Sequence, residues 1–235
     1  MTGFFDYPKG AAFGRVLPKN KIYEHAGASA ALKDLFIKEV DQIVWAFKLA
    51  PETINLAATR AVSEIQIFSV SLRKAELDFD VLRAIDRAIP FPLIFELTRS
   101  GRMKAVAAFK RPSEADSAKW VVSEYFESAW VEDAAPRQPL PVSLNLGALY
   151  EQMLSALMPD QAAPDEDIQA RVARVEAIRA KTREVERIKA RLDREKQFNK
   201  RVGINAELRV AKQQLNELQK NTLADADDRQ STASE

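Results

Sequence analysis

In "PLIFELTRSGRMKAVAAFK" (92–110), Leu93, Phe95 and Leu97 alternate with polar or second-face residues. Ser100-Gly101 turns the chain, and Met103, Ala105, Ala107 and Phe109 alternate on the return. Period-two alternation on both sides of a Gly-containing turn predicts a β-hairpin. "KWVVSEYFESAWV" (119–131) reads as a further strand on the hairpin's edge. Before the hairpin, "EIQIFSVSL" (64–72) reads as a strand whose apolar phase moves from Ile65 and Ile67 to Phe68, Val70 and Leu72. Such a strand is either bulged or buried on both faces. "TINLAA" (53–58) reads as another strand.

Helical periodicity appears at three places in this part of the chain. Ser29 is placed to cap a helix carrying Leu32, Leu35, Phe36, Val40, Ile43, Val44 and Phe47, closed by Pro51. Asp78 caps a shorter one with Val81, Leu82, Ile85 and Ile89 before Pro90. Ser143 caps a third with Leu146, Leu149, Tyr150, Met153, Leu154 and Leu157. Together these elements predict an α+β domain over 1–158, a mostly antiparallel sheet with flanking helices.

The composition changes at "PDQAAPDED" (159–167), read as a linker. From Ile168 to Lys220 the chain has no Pro and is rich in Ala, Arg, Glu, Lys and Gln, the composition of a long helix or a helical coiled-coil arm. Gly203 costs about 1 kcal/mol in a helix interior, so a hairpin broken there is the alternative to one long helix. Residues 221–235 read as a disordered acidic tail. Net charge is +1 overall, but 166–220 carries 15 basic and 9 acidic residues and is basic by comparison.

Much chemistry is excluded. There is no Cys and one His, so disulfides, thiolate chemistry and a conventional zinc site drop out, and neither metal nor cofactor is expected. The seven Gly are scattered and form no phosphate-cradling loop. No apolar run approaches the roughly 20 residues of a membrane span, and the start has no signal-peptide pattern, so a cytoplasmic protein with no membrane partner is expected.

Four sets of residues remain as candidates. Glu64, Gln66 and Glu96 are the residues of an alternative catalytic reading, a divergent metal-dependent nuclease, which needs carboxylates on adjacent strands and a nearby Lys. Gln66 stands where such a Lys would be expected. Arg15, Lys19, Lys21 and Tyr23, in a loop ending near His25, suit phosphate contact and base stacking. On the arm, Arg187, Arg191, Arg194, Lys200 and Arg201, with Arg171 and Arg174, suit attraction to nucleic acid. Ile178, Val185, Ile188 and Leu192 form the arm's interaction stripe.

"RVLPKNKIYEHA", "LKDLFIKEVDQIVWAFKLAPETINL", "EIQIFSVSL", "AIPFPLIFEL" and "REKQFNKRVGINAEL" together resemble the bacterial family known as domain of unknown function 4391, over roughly residues 5–220. The resemblance carries no catalytic residues. It implies an association with helicases and DNA methyltransferases in restriction or phage-defence gene clusters. The leading expectation is therefore a non-catalytic accessory subunit that docks on such a larger partner, with DNA as a further partner of the basic arm. A structural homo-oligomer built on the C-terminal helix is the third reading.

Overall fold

The computed structural model describes residues 3–116, 119–159, 162–163 and 166–227, with side chains through Lys220. The chain divides into two units, Met1–Pro159 and Asp160–Glu235.

In the first unit, β1 (Phe5–Asp6) pairs in parallel with β9 (Gln138–Pro139) as a small separate ribbon. The main sheet runs β2 (Ala12–Val16), β3 (Val40–Leu49), β4 (Ile65–Leu72), β5 (Leu93–Arg99), β6 (Arg102–Pro112), β7 (Trp120–Glu127), each strand beside the next. Strand β8 (Val131–Glu132) adds to β6. Every pairing in the main sheet is antiparallel except β4 with β5, which are joined through helix α4 (Phe79–Ala88). The α+β class with a mostly antiparallel sheet is thus the observed architecture.

The hairpin forms as its alternation requires. Ser100 and Gly101 both adopt left-handed backbone, φ 48° and 73°, the conformation a tight two-residue turn demands, and Arg99 pairs with Arg102. Strand β4 resolves its phase change by burial on both faces. Phe68, Val70 and Leu72 pack with Ile22 of α1 (Lys19–Ala26), Phe36 of α2 (Ala30–Glu39) and Val81, Leu82 and Ile85 of α4. The opposite face of the sheet receives the N-terminal segment and α5 (Leu146–Ser155), where Tyr7 meets Phe47 and Tyr150 lies against Phe109.

Several expectations are corrected. The helix starting at Ser29 ends at Glu39, and Val40–Leu49 is strand β3. Two bulges in β3, at Val40/Gln42 and Trp45/Phe47, displace its apolar residues from strict alternation and so imitate helical spacing. "TINLAA" is no strand: Pro51 opens the single-turn helix α3 (Pro51–Ile54), and Asn55 ends it at φ 52°. The stretch from Gly14 to Gly27 is not a loop but the end of β2 followed by α1, with Gly27 in the left-handed cap position. Helix α5 is capped by Asn145, which accepts from the Ala148 amide at 2.9 Å, rather than by Ser143.

In the second unit, Asp167 caps α6 (Ile168–Arg194), and α7 (Phe198–Asp227) follows after a short break. The break falls at residues 195–197, not at Gly203, which lies inside α7. There the Glu195 carboxylate accepts from the Gln197 amide, and the Arg201 guanidinium donates to the carbonyls of Leu192 and Glu195, satisfying the open end of α6. Arg191 with Glu207 and Lys181 with Gln214 set an antiparallel register between α6 and α7. Helix α7 continues to Asp227, into the segment read as a tail, and residues 228–235 lie outside the described residues. Part of the 159–167 linker also lies outside them.

One buried network ties α4 to the sheet. Lys110 of β6, 1% exposed, donates to the carbonyls of Asp86 and Ile89 at 2.5 Å each and reaches the Asp86 carboxylate at 3.3 Å. Tyr125 of β7 donates to the other Asp86 oxygen. Burial pushes the Asp86 carboxyl up and the Lys110 ammonium down, each opposed by the partner's charge. Removing one partner strands the other in the core, so Lys110→Met is expected to cost about 3 kcal/mol or more. Urea unfolding measures it, and a loss under about 1 kcal/mol would show the pair to be dispensable.

Candidate functional site

The end of β3 and the start of β4 lie side by side, with Lys48 opposite Gln66. The chain between them turns through α3. Thr53 fixes that turn: its hydroxyl donates to the Lys48 carbonyl at 2.6 Å and accepts from the Ala50 amide at 2.9 Å. Leu49 and Ala50 are buried, which anchors the turn from below. The consequence is that Glu52, from α3, and Glu64, just before β4, meet over one ammonium group. Lys48 Nζ stands 2.7 Å from Glu52 Oε1 and 3.3 Å from Glu64 Oε2. Gln66, buried, donates its amide to Glu64 Oε1 and holds that carboxylate in place.

The electrostatics follow from this contact. The hydrogen bond to Glu52, reinforced by the Glu64 charge, raises the Lys48 pKa. The same bond holds the Glu52 carboxyl below its ordinary value. Two carboxylates from different elements, a cation between them and a buried amide behind form a compact charged cluster at one end of the central strands. Among the described residues no three His, Cys, Asp or Glu side chains are grouped to hold a metal. Magnesium does not require that: it is commonly held by one or two carboxylates, with water and substrate phosphate completing its shell.

Of the three residues in the sequence-based nuclease reading, Glu64 and Gln66 are together here and Glu96 is not. The parallel register pairs Gln66 with Leu93 and Ser69 with Glu96, farther along the sheet. There Glu96 is held by Arg137, with both pairs of atoms at 2.7 Å, and Arg137 also donates to the Phe5 carbonyl. This half-buried clamp fastens the N-terminal segment across the sheet. Burial and the Glu96 charge push the neighbouring Tyr7 phenol well up. The structure supplies Lys48 and Glu52 instead. Their spacing of four was visible in the sequence, but not that the chain turns back between them.

The N-terminal basic residues lie elsewhere and differ among themselves. Lys19 Nζ donates to the carbonyls of Phe36 at 3.2 Å and Val40 at 2.6 Å, closing the C-terminal end of α2. Tyr23 packs edge-on against Phe36, with Lys33 over its ring. Lys21 pairs with Glu24 on the surface, and Arg15 lies over Phe13. His25 is in the last turn of α1.

On the arm, Arg187, Arg194 and Lys200 are exposed, Arg191 pairs with Glu207, and Arg201 seals the break. Arg174 is held by Glu166 at 2.7 and 2.9 Å, and Arg171 is buried. The stripe of Ile178, Val185, Ile188 and Leu192 is half-buried. The antiparallel register sets Ile188 and Leu192 alongside Leu208 and Ile204 of α7, so the stripe lies along the chain's own second helix.

A family model described as Domain of unknown function (DUF4391) matches residues 5–215. No curated protein and no solved structure matches the chain. Among the described residues no helix is long and apolar enough to cross a membrane.

Two measurements check this geometry. Lys19→Met removes bonds from an ammonium to two carbonyls and is expected to cost about 1–2 kcal/mol in urea unfolding, whereas Lys21→Met stays within about 0.5 kcal/mol. Equal effects would refute the capping role. For Glu52, the folded pKa lies below the unfolded one, so its pairing stabilises above the ordinary carboxylate range and is lost as pH falls through the folded value. Carboxyl NMR titration of Lys48→Met is expected to return Glu52 to that ordinary range; an unmoved Glu52 would mean that Lys48 is not its partner.

Proposed function

The matched model spans most of the chain, which therefore belongs to the DUF4391 family; on the geometry alone we propose a metal-dependent phosphodiesterase that processes nucleic acid. The supporting observation is the convergence of Glu52 and Glu64 on Lys48. In this reading Glu52 and Glu64 would be the residues that hold a Mg²⁺ ion. Gln66 keeps Glu64 oriented toward the ion. Lys48, displaced from the carboxylates but tethered beside them, neutralises the charge that builds on the phosphate oxygens. The chemistry such an ion would supply is a bound water of lowered pKa as the nucleophile toward a phosphodiester.

A second reading is favoured by the second unit. Helix α7 buries Ile204, Leu208 and Ala211 but exposes Phe198 (77%), Val202 and Val210. Large apolar side chains displayed on a helical hairpin suit docking on another protein. This fits an accessory subunit working beside a helicase or DNA methyltransferase of a restriction or phage-defence system in the cytoplasm. Arg187, Arg194 and Lys200 are then exposed positive charges that meet DNA. Phe198→Asp with Val202→Asp would abolish co-purification with that neighbouring enzyme.

The test of the first reading uses the full chain with single-stranded and duplex DNA and RNA. Cleavage is expected with Mg²⁺ or Mn²⁺, absent with EDTA, and reduced about 100-fold or more by Glu64→Gln or Glu52→Gln. Glu96→Gln, which breaks a structural clamp, is expected to lower stability instead. Cleavage that survives both substitutions would remove the site assigned here.

A further inference from the structure

At the other end of β4, roughly 20 Å from Gln66 by strand length, a pocket of about 310 Å³ opens over the last residues of the parallel pair β4 and β5. Leu72 and Leu97 form its apolar floor, and Leu77 and Phe79, entering α4, border it. Trp130 forms a wall, and Lys104, Glu127 and Glu76 supply charge. The volume falls in the range of small-ligand sites.

The backbone that carries Trp130 is fixed before any ligand arrives. Trp130 sits between β7 and β8, its carbonyl accepting from Arg102 at 3.0 Å. Ser128 locks the approach to it by accepting from the Ala105 amide at 3.0 Å and donating to the Ala129 carbonyl at 2.9 Å. Lys104 Nζ lies 2.6 Å from Glu127 Oε2 and 5.9 Å from the centre of the Trp130 ring. The Lys104 side chain is mostly covered while that of Glu127 is 43% exposed, so the carboxylate has open coordination on its outer side.

We infer that this pocket binds a guanine base. A flat heterocycle stacks on Trp130 over the leucine floor. An ammonium beside a carboxylate on one wall asks for an acceptor next to donors on the ligand's edge. Guanine alone among the common bases offers two adjacent donors, N1–H and the 2-amino group, for a carboxylate, beside O6 and N7 for an ammonium. Adenine and cytosine each present a single amino donor on that edge, and uracil has no amino group. The pocket shares no residue with the Glu52–Glu64 cluster, so its ligand binding does not depend on the reading of that site.

Calorimetric titration of the full chain with GMP, AMP, CMP and UMP tests this, with no metal added. GMP is expected to bind at least about tenfold more tightly than each of the others. Trp130→Leu is expected to weaken GMP by about tenfold or more through lost stacking. Glu127→Gln, at a partly exposed position that leaves the fold intact, is expected to bring the GMP-to-AMP ratio within about threefold. The same titration on Glu64→Gln protein is expected to be unchanged. The assignment is overturned if GMP fails to bind at millimolar concentration, if it binds no better than AMP, or if Glu127→Gln leaves its preference intact.

Discussion

Strand β4 is the constraint from which the rest of the first unit follows. It is buried on both faces, pairs antiparallel with β3 and parallel with β5, and so cannot shift by one residue without exposing an apolar set on each side. A parallel neighbour requires a crossover, and α4 supplies it, packing Val81, Leu82 and Ile85 onto Phe68, Val70 and Leu72. The two ends of this one strand then carry the two places where chemistry gathers. Glu64 and Gln66 stand at its start, and Leu72 closes the floor of the pocket at its finish. Rigidity in the middle is what allows fixed geometry at both ends.

The lysines illustrate how burial reassigns charge. Lys19, Lys48 and Lys110 all appear in the sequence as polar residues of ordinary surface type, yet each ends on oxygen atoms of the chain. Lys19 satisfies the last carbonyls of α2, Lys110 those of α4, and Lys48 bridges two carboxylates. The first two are buttresses at helix ends, where unpaired carbonyls need donors. Of these three only Lys48 meets two acids from different elements, which is why the proposed cation site falls there.

How far the sequence reveals this depends on how local each cause is. The β5–β6 hairpin, the Ser29 and Asp78 caps and the charged helical arm rest on neighbouring residues, and each is legible. Strand β3 is not, because its two bulges disguise a period of two as one near 3.6. Misreading it hides the turn through α3, and with it the meeting of Lys48, Glu52 and Glu64. Glu64 and Gln66 are legible as a pair because they are two apart on one strand. Glu96 is assigned to the same site, but the parallel register sets it opposite Ser69, out of phase with Gln66, so it lies on the other face of the sheet with Arg137. The break of the arm at 195–197 likewise depends on Arg201 reaching back to two carbonyls, a contact that outweighs the local cost of Gly203.

The assignment of Glu52 and Glu64 as cation ligands is tested most directly by an anomalous difference map from crystals of the full chain soaked in Mn²⁺. A peak is expected between the Glu52 and Glu64 carboxylates, with the Lys48 ammonium moved off both and Gln66 still donating to Glu64. A map without density there, and with Lys48 still bridging the two acids, would show the cluster to be an ion pair that stabilises the turn and nothing more.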